Sequence, residues 1–114
     1  MAKWTIYHNP QCSKSREALA MLQAKGIAPE VIEYLKQPPT EKELSSIIQK
    51  LKVPAASLVR TKEEIFQALN FNLGSTEAII QNLAKHPKLL ERPIVIKDNV
   101  AIIARPTELL KEIL

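Results

Sequence analysis

Cysteine occurs once in this chain, as Cys12, and its setting is chemical: Tyr7-His8-Asn9-Pro10-Gln11-Cys12-Ser13-Lys14-Ser15-Arg16. An apolar stretch breaks at Pro10 and a helical pattern opens at Ser13, so the sulfur falls at a helix N-terminus. Unpaired backbone N–H groups and the positive end of the helix dipole favour thiolate there, against an ordinary thiol pKa of about 8.5. Lys14, Arg16 and His8 add positive or polar character nearby. Cysteine at large is a small buried hydrophobe, but the polar residues around this one point to a reactive thiol. With no second cysteine there is no internal disulfide, and any disulfide chemistry requires another molecule's thiol.

The elements that must position this thiol are legible in the apolar spacing. Trp4 to His8 reads as a strand, and a helix follows from about Ser13 to Lys25 with Ala18, Leu19 and Leu22 on one face and Gly26 as its stop. Glu30 to Leu35 reads as a second strand, and the right-handed crossover rule makes the two parallel neighbours. After Pro38-Pro39, Thr40-Glu41-Lys42-Glu43 forms a capping box for a helix with Leu44, Ile47, Ile48 and Leu51 inward, ending before Pro54. A second such box, Thr61-Lys62-Glu63-Glu64, starts a short helix with Ile65, Phe66 and Leu69 inward. Ser75 or Thr76 starts another, carrying Ile79, Ile80 and Leu83. Beyond His86-Pro87, Pro93 to Lys97 and Val100 to Ile103 are β-rich runs joined by Asp98-Asn99, a pair suited to a tight hairpin. Pro106 opens a last helix with Leu109, Leu110 and Ile113.

Composition narrows the class. A chain of 114 residues that is 46% hydrophobic has material for one core, so residues 1–114 are expected to form a single domain. No apolar run approaches the roughly 20 residues of a membrane span. The opening Met1-Ala2-Lys3-Trp4 leads into a strand rather than a signal peptide's apolar segment, so a cytoplasmic protein is expected. The net charge of +4 is spread over lysines among glutamates, with five aromatic residues in all. That pattern argues against nucleic-acid binding and leaves a small anionic substrate as the simpler explanation.

The order β-α-β, helices, β-β-α matches a thioredoxin-like α/β layout: a four-stranded mixed sheet flanked by helices, with a helical insertion in the middle of the chain. The segments Ile6 to Arg16, Leu58-Val59-Arg60, Glu91-Arg92-Pro93-Ile94 and Ala104-Arg105-Pro106 resemble the signature segments of the glutaredoxin-coupled arsenate reductase family. The resemblance runs in order along essentially the whole chain. It implies arsenate as substrate, glutathione as co-substrate, glutaredoxin as protein partner and no bound cofactor. It also implies a mechanism in which the thiolate of Cys12 attacks arsenic and displaces water or hydroxide. Glutathione then attacks the adduct, glutaredoxin resolves the resulting intermediate and arsenite leaves.

The resemblance assigns Cys12 as nucleophile and Arg60, Arg92 and Arg105 as ligands of the oxyanion. The chain spends arginine sparingly, at four positions against twelve lysines; all four fall in the matching segments, three of them at positions to which the resemblance gives the oxyanion. Guanidinium is always charged and presents a planar fork that can hold two oxygens of a tetrahedral anion, whereas lysine is a point charge. His8 and Ser15 receive supporting roles. His8 either favours the thiolate or shapes the strand end, and Ser15 either hydrogen-bonds the sulfur or satisfies the first helical turn. Pro93 matches the position of the cis proline of thioredoxin-like folds, which would turn Arg92 toward the pocket and leave a backbone edge for a thiol peptide.

Two related chemistries are disfavoured. A dithiol oxidoreductase needs Cys-x-x-Cys, and Ser15 stands where the second cysteine would be. The phosphatase type of arsenate reductase needs Cys-x5-Arg, and Ala18 stands at the arginine position. His8 and His86 have no ligand spacing for zinc, so no metal is expected. The alternatives that stay open are a monothiol oxidoreductase or glutathione-handling protein with another substrate, and a regulatory relative that binds a protein partner.

Overall fold

The computed structural model describes residues 2–114; Met1, part of the opening run read above, lies outside them. Four strands form one mixed sheet: β1 (Trp4–His8), β2 (Glu30–Glu33), β3 (Ile94–Lys97) and β4 (Val100–Ile103), in the order β2-β1-β3-β4. β1 pairs with β2 in parallel, as the crossover rule requires, and antiparallel with β3, Tyr7 lying opposite Ile94. β3 and β4 form the expected hairpin, Ile94 opposite Ile103, with Asp98 at a φ of 52° in the turn. The helices are α1 (Ser13–Ala24), α2 (Glu41–Lys50), α3 (Glu64–Leu69) and α4 (Thr76–Lys85), with short 3-10 segments at Ala55–Leu58, Pro87–Leu89 and Thr107–Glu112.

The central strands are buried on both faces, and their alternation divides the core in two. Ile6, Val95 and Ala104 pack with Ala18 and Leu22 of α1 and with Leu110. Tyr7, Ile94 and Ile96 pack on the opposite side with Leu44, Ile47, Ile79 and Leu83 of α2 and α4. The middle helices thus cover one face of the sheet, while α1 and the C-terminal segment cover the other.

Several local expectations are corrected. β2 ends at Glu33 rather than Leu35, because the Glu33 carbonyl accepts from the N–H groups of Lys36 and Gln37 and closes a turn. That turn buries Tyr34 and exposes Leu35. Thr61 does not cap α3. The helix starts only at Glu64, the Thr61 carbonyl accepts from the Gln67 side chain, and the carboxylate of Glu63 is drawn to Arg60 and Lys88. Leu69, expected inward, is exposed where α3 stops at the left-handed Asn70. The last helix is a 3-10 segment, closed by bonds such as Leu109 N–H to the Pro106 carbonyl; Leu110 is its buried apolar residue and Ile113 lies beyond its end.

The first capping box is present in full: Thr40 Oγ1 accepts from the Glu43 N–H and the Glu43 carboxylate accepts from the Thr40 N–H. The contrast between the two boxes is measurable by urea unfolding. Thr40→Ala should cost about 1 kcal/mol of stability, the usual cost of losing such a cap. Thr61→Ala should stay within about 0.5 kcal/mol of the parent, as for a surface change with no cap to lose.

Candidate active site

The sheet topology sets the site. Because β1 and β3 are antiparallel, the end of β1 and the start of β3 lie at one edge, and the β3–β4 hairpin returns the end of β4 to that edge. Cys12 follows β1, Arg92 precedes β3 and Arg105 follows β4, so residues 93 positions apart in sequence become neighbours. The Arg105 Nη1–H group donates to the Arg92 carbonyl at 3.2 Å and reaches to 3.9 Å from Cys12 Sγ. Arg60 arrives by a separate route. The segment around Val59 bridges Leu90, with Arg60 N–H donating to the Leu89 carbonyl at 2.8 Å and Glu91 N–H to the Leu58 carbonyl at 2.7 Å. Arg60, Arg92 and Arg105 line one open pocket of about 320 Å³ together with Glu63 and Glu91. The peptides Arg92–Pro93 and Arg105–Pro106 are both cis.

Cys12 is the N-cap residue of α1, in extended conformation, half-buried, its own N–H tied to the Asn9 carbonyl at 2.9 Å. Its thiol pKa lies below the ordinary value. Burial acts against the thiolate, but it is outweighed by the backbone N–H of Ser15, the positive charge of Arg92, the backbone N–H of Lys14 and a hydrogen bond from the Arg92 side chain. Helix start and guanidinium therefore act together on the sulfur.

The charges near Cys12 in sequence contribute differently from expectation. Arg16 turns back to donate from Nη1 to the Pro10 carbonyl at 2.9 Å, and the Lys14 ammonium lies 3.9 Å from Glu17. Lys14 therefore helps the thiolate through its main chain. His8 is buried, and burial, opposed by Glu33 and assisted by Arg16, lowers its pKa. It is neutral at pH 7 and supplies no fixed positive charge. Its Nδ1 lies 2.6 Å from Ser15 Oγ, which also accepts from the Asn9 N–H at 3.0 Å. The Ser15 hydroxyl thus ties the end of β1 to the first turn of α1, while its main-chain N–H faces the sulfur.

Three residues of the site received no role from the sequence. Glu91 Oε1 lies 3.1 Å from Arg92 Nη1 and 3.8 Å from Arg105 Nε, and Glu63 Oε2 lies 3.6 Å from Arg60 Nη2. Tyr34, fully buried, has its hydroxyl pKa raised by burial, against the effects of Arg92, of a hydrogen bond donated by the Asn9 side chain and of Arg60. Glu91 stands beside an arginine in one of the signature segments. Nothing local marks Glu63 or Tyr34.

A larger hollow of about 470 Å³, mostly apolar, is lined by all four residues of β4 together with Glu91 and Arg105, and Cys12 is not among its lining residues. Among the described residues no group of three or more His, Cys, Asp or Glu side chains could hold a metal ion. No helix among them is long and apolar enough to cross a membrane.

A mixed four-stranded sheet with a thiol at the first helix start defines a thioredoxin-like fold. The model of the ArsC family matches residues 7–113, and the chain belongs to that family. It is 42% identical to the "Arsenate reductase" of Neisseria meningitidis serogroup A, with 100% of both chains covered. It is 46% identical to the "Arsenate reductase" of Haemophilus influenzae, over 96% of this chain and 97% of that one. The solved "Arsenate reductase from Vibrio cholerae" superposes with a TM-score of 0.91 at 46% identity, covering 98% of each chain.

The balance of effects on the sulfur can be read by iodoacetamide labelling against pH. The midpoint for Cys12 should fall below that of an ordinary thiol, since a depressed pKa keeps the thiolate populated at lower pH. Arg92→Gln should raise the midpoint and Arg16→Gln should leave it in place. An Arg16 effect larger than that of Arg92 would show that the charge comes from elsewhere.

Proposed function

We propose that the chain is a glutathione- and glutaredoxin-dependent arsenate reductase, its 114 residues acting as one domain, with Cys12 as nucleophile and Arg60, Arg92 and Arg105 as ligands of arsenate. The observation that carries this reading is the pocket in which all three arginines converge, with Arg105 and Arg92 also flanking the sulfur. The names of the relatives supply the anion: arsenate is tetrahedral and negatively charged, and a cluster of guanidinium forks suits it.

In this reading the thiolate of Cys12 forms an S–As bond and one arsenate oxygen leaves as water or hydroxide. Negative charge is gathered at one centre during the attack, where the guanidiniums offset it without having to reorganise. Reduction of As(V) to As(III) takes two electrons, and a protein with one cysteine cannot close a disulfide within itself. External thiols must supply them. Glutathione attacks the adduct and displaces a second oxygen as water. A glutaredoxin thiol then attacks the glutathione sulfur, forming a mixed disulfide as arsenic takes the two electrons. Water cleaves the Cys12 S–As bond to release arsenite and the thiol. This dependence on glutathione fits a reducing compartment such as the cytoplasm. His8 and Ser15 position the thiol, because the contacts of the Ser15 hydroxyl with His8 and Asn9 hold the loop that carries Cys12.

The test is arsenate-dependent NADPH oxidation coupled through glutathione reductase, glutathione and glutaredoxin. Cys12→Ser should abolish it. Arg→Lys at 60, 92 or 105 keeps the charge and loses the fork, so each should lower kcat/KM by about one to two powers of ten, the size of one charge-assisted contact. Arg16→Lys should stay within about twofold, as for a surface change. Turnover no greater than that of Cys12→Ser would overturn the assignment and favour a monothiol oxidoreductase with another substrate.

A further inference from the structure

Each of the three arginines already has a carboxylate beside it. Glu63 takes Arg60 and also lies 3.8 Å from Lys88 Nζ, whereas Glu91 engages both of the guanidiniums that flank the sulfur. Glu91 is held in place from two sides. Its main-chain N–H is bonded to the Leu58 carbonyl, and its Oε1 also accepts from the Arg92 N–H at 3.3 Å. A carboxylate fixed inside an anion pocket repels every anion that enters. Its presence therefore calls for a compensating function.

The hydrogen-bonding inventory supplies one. Guanidinium only donates and an ionised carboxylate only accepts. A pocket that combines them complements an anion that carries both bare oxygens and a hydroxyl. Arsenate and phosphate keep at least one hydroxyl at neutral pH; sulfate has none. Among the described residues Arg92 Nε is buried without a hydrogen-bond partner, so the donors of this guanidinium are not all spent on Glu91.

We infer that Glu91 is a specificity-determining residue: it accepts a hydrogen bond from the hydroxyl of a protonated tetrahedral oxyanion held by Arg60, Arg92 and Arg105, and it excludes fully deprotonated oxyanions such as sulfate. The inference rests on the reading of this pocket as the oxyanion site. Selection arises from the repulsive element as much as from the attractive ones. Sulfate meets the same guanidiniums but faces the carboxylate with no proton between them.

Calorimetric titration of the full chain with phosphate and with sulfate, both inert toward the thiol, tests this without requiring turnover. The wild-type protein should bind phosphate at least about tenfold more tightly than sulfate near neutral pH. Glu91→Gln, whose amide can turn its NH2 toward a bare oxygen, should shrink that ratio at least about tenfold, chiefly by tightening sulfate. Glu91→Ala should shrink it too, which guards against a rearrangement particular to glutamine. Glu63→Gln removes a like charge that is paired with neither guanidinium beside the sulfur, so it should tighten both anions and leave the ratio within about twofold.

The inference is overturned if Glu91→Gln tightens both anions equally, since Glu91 would then be a competing charge and nothing more. It is also overturned if the variant changes neither affinity, or if the wild-type protein binds phosphate without preference over sulfate; in those cases the pocket itself stands. Binding of neither anion to the wild-type protein would remove the oxyanion pocket, and the inference with it.

Discussion

The opposed directions of β1 and β3 are the constraint on which the site depends. With Tyr7 opposite Ile94, the chain leaves β1 toward Cys12 at the edge where it enters β3 from Arg92. The hairpin then returns Arg105 to the same edge, Ile103 lying opposite Ile94. A parallel pairing of β1 and β3 would put Arg92 at the far end of the sheet. The strands are short, but Ile6, Ile94 and Val95 are fully buried between two layers, so a register slip of one residue would exchange the two faces and is strongly disfavoured.

Within that frame the chemistry of the sulfur is a contest between desolvation and donors. Partial burial disfavours the thiolate, and the start of α1 with Arg92 more than offsets it. The same opposition runs through the arginine cluster, where Glu63 and Glu91 moderate the guanidiniums. Packing three free guanidiniums together would be costly without counter-charge, and the carboxylates supply it.

Arg60 shows how a loop is enlisted for this purpose. It lies in no helix or strand, yet the bonds of Arg60 and Glu91 to the 89 and 58 carbonyls make the 58–60 segment a short extension of the chain entering β3. Its Nη1–H group also donates to the Lys88 carbonyl at 3.2 Å. The helical middle of the chain thus covers the core and delivers a third guanidinium to the pocket.

What the sequence determined by itself is what short range can encode. β1, the thiol at a helix start, the Thr40 capping box, the hairpin at Asp98-Asn99 and the parallel β1–β2 crossover all follow from residues within a few turns of one another or from a handedness rule. Residue chemistry marked three arginines as unlike the lysines around them, and resemblance gave them a role. Tertiary structure decided which charges act on the sulfur: Arg92, 80 positions away, and not the side chains of Lys14, Arg16 or His8. It decided that the second capping box would not form, with Glu63 paired instead to Arg60 and Lys88, that Tyr34 would be buried close to Arg92 and Cys12, and that Glu91 would sit between two guanidiniums. The reason is range. Helix propensity and capping are settled within one turn, whereas a side chain's electrostatic partner is whichever charge the folded sheet brings within a few ångströms, and strand order determines that.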